Sequence, residues 1–257
     1  MPTVEAHAVG TPTWMDLTTP DLERTRAFYS TLFGWTYLIG PEESGFYSMC
    51  QLNGRMVAGI GLKPKDAPYP TAWSVYFEAD DVDAFVQRAE KLGGKVAIAP
   101  MDVFDAGRLA FCTDPTGASF GLWQSRGHKG AQLVGEPGTM AWHEVNTRDG
   151  IRAKDFYSAL LGLEAKKLDL GMDYWTLDKG SEPVAGVLQM TAQWPADLPP
   201  HWMNYFAVTD TDASVRKVTE LGGKVHVKPT DSPHGRYSVV TDPVGAAFTL
   251  IAPSRPA

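Results

Sequence analysis

Asp16 lies in the stretch Trp14-Met15-Asp16-Leu17-Thr18, and Glu144 in Trp142-His143-Glu144-Val145-Asn146. Each acid follows a tryptophan by two residues. Alternate side chains of an extended strand point the same way, so Trp14, Asp16 and Thr18 share one face and Trp142, Glu144 and Asn146 share its copy. A carboxylate desolvated among indoles has its pKa raised and can serve as a general base near neutral pH. Arg108 and Arg236 could then neutralise an enolate-like intermediate. They could equally pair with Asp16 and Glu144 as plain ion pairs, because charges are seldom buried alone. Tyr76, Tyr205 and Trp123 fall on the inferred inner faces of neighbouring strands. A mostly apolar pocket with a few placed polar groups is what a small organic ligand requires, although large rings also plug cores.

The histidines offer no ligand set. His143 and Glu144 are adjacent in a strand and face opposite sides, so they cannot grip one ion together. His143 reads as a packed or surface side chain, and His201, His226 and His234 have no ligand spacing. Cys50 and Cys112 form neither a disulfide framework nor a metal knuckle, and read as two reduced, buried thiols.

The elements that must carry these residues occur twice. Asp21, Phe28, Tyr29, Ser30, Leu32 and Gly34 recur 128 residues later as Asp149, Phe156, Tyr157, Ser158, Leu160 and Gly162. KLGGKV from Lys91 is answered by ELGGKV from Glu220, and RLAFCTDPTGASFGLW from Arg108 by RYSVVTDPVGAAFTLI from Arg236. Such self-similarity marks two copies of one domain. Val82, Phe85, Val86, Ala89 and Leu92 at helical spacing predict a helix with Asp80 as its cap and Gly93-Gly94 as its end. An earlier helix begins near Pro20, with Thr19 as the candidate cap, and its copy begins near Asp149. Short alternating segments surround each helix, and the DPTG and DPVG sequences signal turns between strands. Strand, helix, then three strands, four times over, is an α+β pattern.

With 257 residues and a net charge of −7, the chain has no basic cluster for nucleic acid. It has no apolar run long enough for a membrane span and no basic, apolar leader at the N-terminus, so a cytoplasmic protein is expected. The Gly-rich polar stretch from Gln124 reads as a linker.

The strand-Asp-helix segment LTTPDLERTRAFYSTLFGW and the TDPTGASFGLW hairpin, each repeated, resemble the vicinal oxygen chelate superfamily of glyoxalases, bleomycin-resistance proteins and extradiol dioxygenases. The resemblance is closest to tandem actinobacterial glyoxalase-like proteins labelled hydroxylases. It implies four βαβββ modules forming two domains, 8–125 and 138–254, with a linker at 126–137 and curved, cup-shaped mixed sheets. It also implies where a metal would be held: Trp14 and Trp142 on the first strands, Ser74 and Met203 in the second modules, and Gly121 and Thr249 after the turns. Indole has no lone pair to donate, glycine has no side chain, and a lone Ser, Thr or Met is a poor ligand. No metal and no cofactor are therefore expected.

The first expectation is a metal-independent small-molecule-binding protein, with Trp14, Tyr76, Arg108, Trp123, Trp142, Tyr205 and Arg236 lining the cups, taking a planar or cationic ligand. The alternative is a metal-free isomerase, lyase or tailoring enzyme for an aromatic or carbonyl compound, with Asp16 or Glu144 as its catalytic base. Glyoxalase I chemistry, which needs a metal-polarised enediolate, ranks last. Single-copy relatives dimerise, so the fused copies imply a monomeric pseudo-dimer. Divergence between the copies leaves room for only one working cup.

Overall fold

The computed structural model describes residues 3–67 and 69–254. The first half runs β1 (Pro12–Thr19), α1 (Leu22–Phe33), β2 (Thr36–Ile39), β3 (Ser48–Leu52) and β4 (Arg55–Leu62). It continues with β5 (Ala72–Glu78), α2 (Val82–Lys91), β6 (Lys95–Val103), β7 (Gly107–Thr113) and β8 (Ser119–Ser125). The second half repeats this as β9 (Met140–Thr147), α3 (Gly150–Leu161), β10 (Glu164–Asp169), β11 (Asp173–Lys179) and β12 (Glu182–Gln189). It closes with β13 (His201–Ala207), α4 (Thr211–Glu220), β14 (Lys224–Ser232), β15 (Gly235–Thr241) and β16 (Ala247–Pro253). Strand, helix and three strands thus occur four times. Each half forms one eight-stranded sheet, ordered β2-β3-β4-β1-β5-β8-β7-β6 and β10-β11-β12-β9-β13-β16-β15-β14. Within a module the first and last strands pair in parallel, and the modules meet antiparallel at β1 and β5 or β9 and β13. That seam puts the Asp16 and Glu144 strands at the middle of each sheet.

Two helix starts differ from expectation by one or two residues. Asp21, not Thr19, caps α1, its side chain accepting from the Arg24 N–H, and Pro20 lies ahead of the cap. Thr19 is still in β1, where its hydroxyl bonds that of Thr25 at 2.7 Å. Asp81, not Asp80, caps α2 through the Ala84 N–H. In both cases the residue with extended backbone whose oxygen reaches three residues ahead takes the role. Gly93, at φ +90°, supplies the left-handed residue after α2. Among the described residues no helix is long and apolar enough to cross a membrane.

The cores do not respect the sequence halves. One apolar cluster joins Phe77, Phe85 and Phe120 to Phe156, Tyr157 and Leu177. The other joins Tyr29, Trp35 and Trp73 to Phe206, Val218 and Phe248. Two equivalent hydrogen-bonded relays cross between the halves. Trp73 Nε1 donates to Tyr29 Oη at 2.9 Å, and Tyr29 Oη donates to Asp242 Oδ2 at 3.2 Å. Trp202 Nε1 donates to Tyr157 Oη at 2.8 Å, and Tyr157 Oη donates to Asp114 Oδ2 at 2.9 Å. The other oxygen of Asp114 accepts the backbone N–H groups of Thr116, Gly117 and Ala118, so one side chain both shapes its turn and holds the opposite half. His143 is buried at this seam, 2.6 Å from Asn204 Oδ1, and Asn204 Nδ2 donates to the Trp73 carbonyl. Burial pushes the His143 imidazole down to about 4, so at neutral pH it is an uncharged packing residue.

Candidate functional site

Asp16 is directly opposite Gly59 on β4 and Ser74 on β5. Tyr76 Oη donates to Asp16 Oδ2 at 2.9 Å, and Tyr47 Oη donates to the same oxygen at 3.2 Å. Trp14 Nε1 in turn donates to Tyr47 Oη at 3.1 Å. Glycine on the facing strand makes this possible: a Cβ at Gly59 would collide with the Tyr47 hydroxyl, and one at Gly121 with the Tyr76 ring. Asp16 Oδ1 is buried without a partner. Burial pushes the Asp16 carboxyl up to about 6, against the pull of its two tyrosine donors.

The second half builds the same floor. Tyr205 Oη donates to Glu144 Oε1 at 2.7 Å, Tyr174 turns its hydroxyl to the same carboxylate, and Trp142 Nε1 donates to Tyr174 Oη at 2.9 Å. Gly186, opposite Glu144, leaves the space that Tyr174 fills. Burial raises the Glu144 carboxyl as well. Sequence reasoning brought Trp14, Tyr76, Trp142 and Tyr205 to these acids but missed Tyr47 and Tyr174. The usable signal was the aromatic pair in FYSM and YWTL, set against a glycine in the next strand.

Arg108 and Arg236 are elsewhere. Arg108 Nε is 2.7 Å from Asp83 Oδ2 and its Nη1 3.2 Å from Asp102 Oδ1. Arg236 pairs with Asp212 at 2.5 Å and Asp231 at 2.9 Å. Leu109 and Phe111 of β7 occupy the cup side, the latter against the Tyr76 ring, so strand alternation sends Arg108 to the helix side. Neither arginine can serve Asp16 or Glu144. Trp123 lies beside the first cup, and its Nε1 donates to the His128 carbonyl at 3.0 Å. The His128 ring is edge-on to Trp14, centroids 4.3 Å apart. The expected linker thus folds back against Trp123 and Trp14 of the first cup. A recess of about 640 Å³ opens beside His128, past Met49 and Met56, and another of about 510 Å³ lies on the β10–β11 turn. Neither recess is lined by Asp16 or Glu144.

Above similar floors the walls differ. In the first cup the register places Leu38, Met49, Phe111, Ile98 and Met101 on the face of Tyr76, with Leu38 52% and Met101 50% exposed. In the second, Lys166, Thr176, Asn146 and His201 occupy the face of Glu144.

Residues 7–122 match the family model described as Glyoxalase/Bleomycin resistance protein/Dioxygenase superfamily, and residues 142–251 match the one described as Glyoxalase-like domain. The chain is 41% identical, over 99% of both chains, to "Putative glyoxylase CFP32" of Mycobacterium tuberculosis. The chain belongs to this superfamily. It is also 39% identical to "Anthracycline biosynthesis protein DnrV" of Streptomyces peucetius, covering 95% of this chain and 94% of that one. Among solved structures, the Mn(II)-bound glyoxalase of Novosphingobium aromaticivorans aligns at a TM-score of 0.65 with 17% identity, over 94% of this chain and 82% of that one. A catechol 2,3-dioxygenase aligns at 0.63 with 15% identity, over 98% and 90%. These two share the fold.

The donor set does not fit the divalent metal that some superfamily members hold. The positions where the resemblance puts such a metal's ligands carry Trp14, Ser74 and Gly121, or Trp142, Met203 and Thr249, and a Cβ at Gly121 would strike the Tyr76 ring. Among the described residues no three His, Cys, Asp or Glu side chains come together as a ligand group.

Proposed function

We propose that this superfamily member is a metal-independent binding protein whose first cup seats a planar aromatic molecule. The observation that carries the reading is the exposed apolar side chains of Leu38 at one edge of the first sheet and of Ile98 and Met101 at the other, on the same face as the tyrosines and tryptophans of the floor. Exposed apolar side chains flanking one sheet face lower their free energy when a flat hydrocarbon or aromatic surface covers them. In this reading Asp16 fixes the tilt of Tyr76 and Tyr47 and is not itself a reacting group. The printed name of the Streptomyces peucetius relative, an anthracycline biosynthesis protein, supports a polycyclic ligand class.

Titration with an anthracycline, followed by tryptophan fluorescence, tests the reading. Saturable quenching with the ligand recovered unaltered is expected, and dialysis against a chelator should leave the affinity unchanged. Leu38→Lys, which installs the second cup's residue, should weaken binding about 10-fold by breaking the apolar wall. A chemically altered product would overturn it.

One observation favours a second reading, a metal-free isomerase or lyase. The Asp16 carboxyl, held at about 6 with Oδ1 unpartnered, has the properties of a general base. That reading requires Asp16→Asn to abolish turnover of a carbonyl compound while the fold survives. In either reading the fused halves replace a dimer, and light scattering on the purified protein should return one chain's mass.

A further inference from the structure

The second cup carries features that the first lacks and that an aromatic ligand does not use. Direct cross-strand partners share a face, and the chain of partners Lys166, Thr176, Gly186, Glu144 and Met203 crosses the second cup in one row. Asn146 and His201 form the next pair along the same face. Where the first cup has Leu38, Met49, Thr18 and Ala72, the second has Lys166, Thr176, Asn146 and His201.

Several acceptors in this cup have no donor. His201 Nδ1 is 2.8 Å from the Pro199 carbonyl, which accepts and never donates, so Nδ1 carries the proton and Nε2 is an acceptor. The Asn146 amide nitrogen therefore faces His201 Nε2, at 3.4 Å, and this fixes the side chain with its carbonyl oxygen turned away. That oxygen is buried without a partner, on a residue only 1% exposed. Asp178, 5% exposed, repeats the pattern: Lys166 Nζ is 2.9 Å from its Oδ2, and its Oδ1 has no partner. Glu144 receives neutral tyrosine hydroxyls, and among the described residues no cation pairs with it. A buried acceptor without a donor costs free energy that a ligand bringing a donor recovers.

We propose that the second cup is a binding site for a small primary ammonium ion, separate from the aromatic seat of the first. An ammonium has three donors and no acceptor, matching what the site lacks. Glu144 supplies the countercharge and the Asn146 carbonyl a second contact, two residues along the strand or about 7 Å apart at the backbone. Trp142 and Tyr205, both half-buried beside Glu144, put aromatic rings next to the site, as a cation favours. The Lys166 ammonium on the same face is already paired with Asp178.

Calorimetric titration of the full chain with 2-phenylethylamine and with 2-phenylethanol tests this. The amine should bind at least about 10-fold more tightly than the alcohol. Asn146→Leu should weaken the amine by about 10-fold or more, and the near-isosteric Asn146→Asp should tighten it. Neither variant should move the affinity for the aromatic ligand of the first cup, which Leu38→Lys alone should weaken, so the two readings fail separately. Circular dichroism confirms folding, and Asn146→Asp keeps the test alive if the leucine variant unfolds. Equal binding of amine and alcohol, or an amine affinity unmoved by Asn146→Asp, would overturn the proposal and leave Asn146 a hydrated structural residue.

Discussion

Asp16 shows how one buried carboxylate can shape the pH response of the chain. Desolvation lifts it to about 6, above the ordinary 3.8 of an aspartate, so the folded chain binds this proton more tightly than the unfolded chain does. Its contribution to stability is therefore full below about pH 4, declines as pH rises towards 6, and is lost above that. Asp16→Asn keeps an acceptor for Tyr76 and Tyr47 without the charge. It should raise the stability at pH 8 by about 1–3 kcal/mol, seen as a higher melting temperature, and the gain should vanish near pH 4. Thermal melts across that range measure it. Strand alternation alone made Trp14, Asp16 and Tyr76 legible as one group. The arginines were misread because alternation fixes a side only relative to neighbours, and nothing in RLAF says which of Arg108 and Leu109 faces the helix. Asp83, in the first turn of α2, decided it by offering a bidentate partner.

At the scale of the strand, the tyrosine floors depend on glycines in the facing strand. Gly186→Ala would put a methyl group into the Tyr174 hydroxyl and against the Glu144 side chain. The tyrosine should swing out, breaking the bond from Trp142 Nε1, and the Trp142 fluorescence should shift to longer wavelength at a stability cost of about 1–3 kcal/mol. An unchanged spectrum would mean that the floor adjusts in place. These glycines were visible in VAGIGL, yet a strand glycine can equally mark a bulge or a close backbone approach. Only the register with Asp16 shows which ring needs the room. The helices were legible for the opposite reason. Their buried stripes and caps are local, and the errors at Thr19 and Asp80 are those of choosing between polar residues one or two positions apart.

Across the whole molecule, the apolar clusters each draw on both halves, so the halves should unfold together. A single calorimetric transition is expected, and two separated transitions would contradict it. Tyr157→Phe leaves the Trp202 N–H and Asp114 Oδ2 without their shared partner and should cost about 1–3 kcal/mol. For a chain of this length that corresponds to about 2–4 °C in melting temperature per kcal/mol. Tyr29→Phe should do the same through Asp242, and the two losses should add if the relays are independent. The repeat in the sequence announced two copies, but not which surfaces they share. TDPTG reads as a turn in either case, and its second task depends on a tyrosine 43 residues away.

The paired relays have a consequence for how such a chain can change. In an assembly of identical subunits every substitution is made on both sides of the axis at once, so a cup could not be altered without altering its twin. Joining the copies end to end makes the Tyr29 and Tyr157 contacts intramolecular and independent of concentration, while each copy mutates alone. One bowl could turn greasy and the other hydrophilic because the clasp between them no longer required them to match.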